Sequence, residues 1–198
     1  GKMTRFFRGL GVHRVELLCT AGLNMFRNVL PQFGADFSGI EFVSFLKVLH
    51  DRLESGALPI VTPFEGKKIA LQDSCHARIL EEGYQDWPRR IVKLLGFEVV
   101  EAPLHGDRSL CCGIGSGFSH ASAYAKTDLV RGQRRCMNNA CESGADCIGV
   151  YCSGCLEMMS VSKFVTLGTP PVYHVLELIQ MAIGEEPKRR QRKIAFDF

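Results

Sequence analysis

The sequence predicts an α/β protein with a mostly parallel sheet flanked by helices. Three observations carry that reading. Short apolar segments alternate with longer segments of helical apolar spacing, which is the pattern of βαβ units. The helical segments stop at glycines, among them Gly34, Gly56, Gly96 and Gly184, as helix C-termini commonly do. A weak internal repeat relates the beginning of the chain to its end.

In chain order, Arg14 to Leu18 reads as a strand and Leu23 to Gln32 as a helix ending before Gly34. Phe42 to Leu53 reads as a helix, with Val43, Leu46, Leu49, His50 and Leu53 on one face. Lys67 to Gln72 is a strand. Arg78 to Leu95 is a helix with an irregular start near Gly83, and Phe97 to Glu101 is a strand. Ser119 to Ser143 is a long helix and Asp146 to Tyr151 the next strand. Leu156 to Phe164 and Tyr173 to Ile183 complete the pattern as helices, the second closed by Gly184 and Pro187.

The repeat pairs Leu18-Cys19-Thr20-Ala21-Gly22-Leu23-Asn24-Met25 with Tyr151-Cys152-Ser153-Gly154-Cys155-Leu156-Glu157-Met158. After a length change of four, Val43, Phe45, Leu46 and Leu49 correspond to Val172, His174, Val175 and Leu178. Residues 12–56 therefore read as the second half of a unit, and 66–184 as a whole one. The expected division is 1–60 for the partial unit, 61–186 for the complete one and 187–198 for a basic tail.

At 46% hydrophobic and 23% charged over 198 residues, the chain has the balance of an ordinary globular domain. No apolar run reaches the length of about 18 residues that a membrane helix needs, and no signal region follows Gly1-Lys2-Met3-Thr4-Arg5. The expected location is the cytoplasm, with any membrane association made through partners. Lys188, Arg189, Arg190, Arg192 and Lys193 outweigh the whole net charge of +3, so the body is slightly acidic. Nucleic-acid binding would need basic charge spread over a face, so it is not expected. The tail reads as a solvated segment, with docking to an acidic partner as the alternative.

The outlying feature is nine cysteines. Their number is odd, two are adjacent, and a core of this size needs no disulfide staples. Five form a pattern. Cys75 follows the strand 67–72; after 35 intervening residues stand Cys111-Cys112-Gly113; a further 38 residues lead to Cys152-x-x-Cys155, directly after the strand 146–151. In a parallel sheet the carboxyl ends of strands converge on one crevice, so the topology brings these thiols together. Helix starts stabilise thiolates through unpaired N–H groups. Gly113, Gly115, Gly117 and Gly154 let backbone approach a bulky anion. Zinc takes four ligands tetrahedrally; iron–sulfur clusters accept irregular cysteine spacing; a lone CxxC suits a dithiol oxidoreductase.

The order Cys, then Cys-Cys-Gly, then Cys-x-x-Cys resembles the CCG (cysteine-rich) domain found in the B-type subunit of heterodisulfide reductase. Related domains occur in iron–sulfur subunits of lactate or glycolate oxidation systems and of some succinate or fumarate reductases. The resemblance covers 66–184 as one complete CCG unit and 12–56 as the second half of a preceding degenerate one. It implies that Cys75, Cys111, Cys112, Cys152 and Cys155 are metal ligands, with Gly113 beside them. The cofactor implied is one [4Fe-4S] cluster, of the non-cubane kind. The function implied is an oxidoreductase subunit that relays electrons and reduces a disulfide. Its implied partners are a flavoprotein or ferredoxin-like subunit. In the first unit Gly22 replaces the second cysteine of the CxxC, so a single cluster is expected and Cys19 reads as a vestigial ligand or a small buried hydrophobe. The competing readings are a zinc-stabilised interaction module and a metal-free oxidoreductase using Cys152 and Cys155.

Other residues are expected to play lesser parts. Cys136, Cys141 and Cys147 read as packing, since free cysteine is often simply buried. His76 and His120 are the candidate catalytic groups, as proton donors near a reacting thiol; His105 is a weaker one. His174 reads as a capping or packing residue, Trp87 as a core or interface aromatic, and Met158 and Met159 as core.

Overall fold

A computed structural model of the chain describes residues 2–81, 83–114, 126–163 and 166–188. It is α/β, with parallel strands flanked by helices. After helix α1 (Lys2–Gly9), which the apolar pattern does not announce, strand β1 (Arg14–Leu17) pairs in parallel with β2 (Glu41–Ser44). Helices α2 (Thr20–Asn24) and α3 (Leu30–Gln32) connect them through a π-helical turn, Met25–Val29. Pro31 accounts for that turn. It has no N–H to donate and its ring crowds the carbonyl four residues back, so the helix widens rather than continuing.

The larger sheet holds β3 (Lys68–Gln72), β4 (Glu98–Val99), β5 (Cys147–Val150) and β6 (Val172–His174) in the order β4-β3-β5-β6, all parallel. Its helices are α4 (Phe45–Glu54), α5 (Asp86–Leu94), α6 (Lys126–Cys141), α7 (Ser153–Ser162) and α8 (Val175–Ala182). One core runs through both sheets: Leu23, Phe42, Leu46, Leu49 and Leu53 pack in the same cluster as Ile69, Leu71, Ile91, Leu95, Leu178 and Ile179. On the other side, Cys136, Met137 and Ala140 of α6 recur at helical spacing and bury against Ile148, Val150, Met158 and Met159. No helix among the described residues is long and apolar enough to cross a membrane.

Two expected helices are divided. Phe42–Leu53 is the end of β2 followed by α4, and Tyr173–Ile183 is β6 followed by α8. In both places one capping residue, Ser44 or His174, joins strand to helix without a loop. The apolar spacing therefore runs on across the change of structure. The pairing of Ser44 with His174 also shifts the second part of the repeat by one residue. The expected helix 78–95 begins instead as a 3₁₀ turn (Cys75–Ile79), and α5 starts just ahead of Pro88, a residue tolerated only in a helix's first turn. The stretch 119–125 of the expected long helix lies outside the described residues.

The carboxyl ends of β3 and β5 are locked together by a buried carboxylate. Asp73 is 1% exposed. Arg89 of α5 grips it with two parallel bonds, Nη1 to Oδ1 at 2.8 Å and Nη2 to Oδ2 at 2.9 Å. The Tyr151 hydroxyl donates to Oδ1 at 2.9 Å and accepts the Ser74 N–H at 3.1 Å. The Gly106 N–H donates to Oδ2 at 2.6 Å, and Glu101 holds the outer edge of Arg89. Burial alone would raise the Asp73 carboxyl; the Arg89, Gly106 and Tyr151 donors overcome this and hold it below the usual carboxylate value.

Asp73→Asn should destabilise the protein by about 3 kcal/mol, the low end for breaking a buried pair, because Glu101 still serves Arg89. Since the folded pKa is depressed, the stabilisation is complete above the ordinary carboxylate range. It is lost as pH falls through the depressed value. Urea unfolding across the acid range should show that acid limb weakened in the variant. Gly96, which ends α5 at φ +93°, tests a second constraint. A Cβ there would lie 3.2 Å from the Phe64 backbone nitrogen, and Gly96→Ala should cost about 1–2 kcal/mol on the same assay.

Candidate metal centre

Two of the three cysteine loops begin where a strand has just ended. β3 leads through Asp73 and Ser74 to Cys75, the first residue of the 3₁₀ turn. β5 leads through Tyr151 to Cys152, which caps α7 in an extended conformation and places Cys155 in that helix's first turn. The third, the Cys111-Cys112 loop, is brought over these ends by side chains. The Gln72 amide donates to the Leu110 carbonyl at 2.7 Å, and Arg78 donates to the Ser109 carbonyl and hydroxyl. Gly113 turns this loop at φ +88° and its N–H donates to the Cys111 sulfur at 3.4 Å. Gly154 has no Cβ because one would lie 2.9 Å from Ile114 Cγ2, where the two loops meet.

The five thiols form one connected set. Cys111 Sγ is 3.7 Å from Cys75 Sγ. Cys112 is close enough to Cys111 and Cys155, and Cys155 to Cys152, for each thiol to shift its neighbour. A sixth sulfur continues the chain: Cys19 Sγ lies 3.8 Å from Cys152 Sγ. By sequence Cys19 reads only as a remnant. The repeat that matches Cys19 to Cys152 is the available signal, but it carries no information that the two half-units face each other.

The protons are shared unevenly. Cys112 and then Cys75 pull the Cys111 thiol down; Cys155 and then Cys19 do the same for Cys152. Their partners move the other way. Cys112 is pushed up to about 11 by Cys111, while Cys75, Cys155 and Cys19 are raised by their sulfur partners and by burial. Six cysteine sulfurs drawn together in this way are a donor set that a multivalent cation would complete. Two buried donors border it without a protein partner, Ser74 Oγ beside Cys75 and His174 Nε2. His174 accepts the Leu176 N–H at Nδ1, and burial pushes it down to about 4. The neutral ring therefore carries its proton on Nε2. Buried polar groups seldom go unpaired, and sulfide or thiolate sulfur at this site would accept from both. The residues present fit an iron–sulfur group.

The other candidates are placed as follows. His76 lies next to Cys75; its Nδ1 is 3.2 Å from the Asn24 amide at the end of α2. His105 bonds the Ala102 carbonyl at 2.7 Å and belongs to its loop. His120, Gly115 and Gly117 lie outside the described residues. Cys136 is fully buried and pushed up to about 12 by burial, and Cys147 is buried and pushed up to about 11. Cys141 is half-buried away from the set. Trp87 packs edge-on to His50, between Lys47 and Arg90, where α4 meets α5. Met158 and Met159 are core.

Known proteins share this arrangement in sequence. Residues 69–160 match the model of the cysteine-rich domain (CCG) family. An EtfAB:quinone oxidoreductase of Syntrophomonas wolfei is 29% identical over 111 residues, 56% of this chain and 15% of that one. The B-type subunit of the ferredoxin/F(420)H(2)-dependent CoB-CoM heterodisulfide reductase of Methanosarcina acetivorans is 26% identical over 171 residues, 80% of this chain and 56% of that one. A probable iron-sulfur-binding oxidoreductase of Bacillus subtilis, FadF, is 35% identical over 108 residues, 54% of this chain and 15% of that one. The chain thus spans from 15% to 56% of the length of these relatives. The stretch that matches the cysteine-rich (CCG) domain family, residues 69–160, is the one that carries the five spaced cysteines.

Proposed function

We propose that the chain is an iron–sulfur redox subunit in which Cys75, Cys111, Cys112, Cys152 and Cys155 hold one [4Fe-4S] cluster of the non-cubane kind. The observation that carries the reading is the convergence of these five cysteines, from three separate loops, into one connected set of sulfurs. Relatives named as iron–sulfur oxidoreductases and as heterodisulfide reductase subunits support it.

The cluster supplies one-electron chemistry. The chain's own residues hold and shape its surroundings. Tyr151 and Asp73 keep the Cys75 and Cys152 loops in register. The buried Ser74 hydroxyl and His174 Nε2, which have no other partner, would donate to cluster sulfur and so favour added negative charge on reduction. Cys111 is the exposed member of the set and marks the edge through which electrons pass. Electrons come from a flavoprotein or ferredoxin-like subunit and go to a disulfide or to a second redox centre. The reading takes 61–186 as the cluster-bearing unit, 1–60 as a half-unit packed on it and 187–198 as a tail, working in the cytoplasm. His76, beside Cys75 and exposed Cys111, is the proton donor to a thiolate released there.

Anaerobic purification should give a coloured protein with about four iron and four sulfide per chain and a paramagnetic signal in one redox state. Cys112→Ser should lose most of the iron, whereas Cys141→Ser should keep it. A colourless protein holding about one zinc would overturn the reading.

A further inference from the structure

Cys19 lies outside the matched family segment and 133 residues before Cys152, yet the two sulfurs are 3.8 Å apart. The separation equals, within 0.1 Å, the 3.7 Å between Cys75 and Cys111. Two thiolates bound to one tetrahedral metal ion at about 2.3 Å stand about 3.8 Å apart. Both pairs therefore have the spacing of ligands that share an ion.

The surroundings of the pair are reciprocal. Cys19 caps α2 and Cys152 caps α7, each in an extended conformation. The Cys19 sulfur accepts N–H groups from Gly22, on its own helix, and from Ser153, on the facing one. The Cys152 sulfur accepts from Cys155, on its own helix, and from Ala21, on the facing one. Thr20, 1% exposed, fixes the approach by donating to the Tyr151 carbonyl at 3.0 Å. The two halves of the repeat thus meet face to face at their cysteines. Cys136 and Cys147, by contrast, contact carbonyl or thioether acceptors and no other cysteine sulfur.

We propose that Cys19 is a sixth cysteine ligand of the metal centre, binding the same metal ion as Cys152, so that the half-unit completes the site of the whole one. The inference rests on the metal centre proposed above. It assigns a ligand that neither the family match nor the five-cysteine pattern contains.

Mass-spectrometric mapping of native alkylation by iodoacetamide tests it, on the anaerobically isolated full chain before and after iron is stripped with a chelator. Cys19 should be protected together with Cys75, Cys111, Cys112, Cys152 and Cys155 in the iron-loaded chain and become reactive on stripping, with Cys141 unchanged as the internal standard. Cys19 reacting equally in both states, while the other five are protected only when loaded, would overturn this inference and leave the iron–sulfur reading standing. No change at any of the six would overturn both. Simple shielding of Cys19 is separated by Cys19→Ala. The variant should lose iron to the chelator about tenfold faster or more and show a changed paramagnetic spectrum. Iron release and spectrum identical to the parent's would overturn the assignment.

Discussion

The structure turns on one buried carboxylate. Asp73 stands where β3 ends and the cysteine loops begin, and it binds Arg89, Tyr151 and the Gly106 N–H at once. A charge taken out of water is tolerated only when paired and hydrogen-bonded, so these partners have little freedom to move. The consequence reaches the sulfurs directly. Tyr151 precedes Cys152, Ser74 precedes Cys75, and both are tied through the same hydroxyl. A shift in one loop would strand part of the network, which is why two segments 77 residues apart keep a common register.

The parallel sheet explains why the cysteines gather where they do. Every strand of a βαβ unit points its carboxyl end the same way, so the loops that follow β3 and β5 open on one side. The small β1–β2 sheet obeys the same rule and aims its own loop, with Cys19, at that side. The two sheets are joined by a single core. Leu46, Leu49 and Leu53 pack with Ile91 and Leu95, and the linker is pinned where the Val61 and Thr62 N–H groups donate to the Ala182 carbonyl at 2.7 and 2.9 Å. The segment that follows β1 brings more than a sulfur. Asn24 reaches His76, and Asn28 braces Asn24 at 2.9 Å and the Ile79 carbonyl at 2.9 Å. The loop that carries Cys75 is thus held from outside as well as from below.

Crowding six thiols has an electrostatic outcome that no single cysteine shows. Cys111 and Cys152 are pulled down by the two sulfur neighbours of each, and those neighbours are pushed up. Each depressed thiol sits between two raised ones.

Much of this was legible in the residues. The α/β class follows from the alternation of periods, and the five-cysteine pattern from spacing and strand ends. The fates of Met158 and Met159 as core, and of His174 as a helix cap, follow from local context. The divided helices at 42–53 and 173–183 were not legible, because one capping residue carries the apolar spacing unbroken from strand into helix. Asp73 and Arg89, 16 residues apart, offered no motif, since a buried ion pair is made by packing. Cys19 was visible as half of a repeat, and a repeat states likeness without stating contact. The amino-acid order by itself therefore determined which segments fold locally and which thiols share a sheet edge, since both depend on short-range periodicity and the fixed hand of parallel connections. That Cys19 meets Cys152, and that one carboxylate ties their loops together, was decided only by tertiary packing of two half-buried units against a common core.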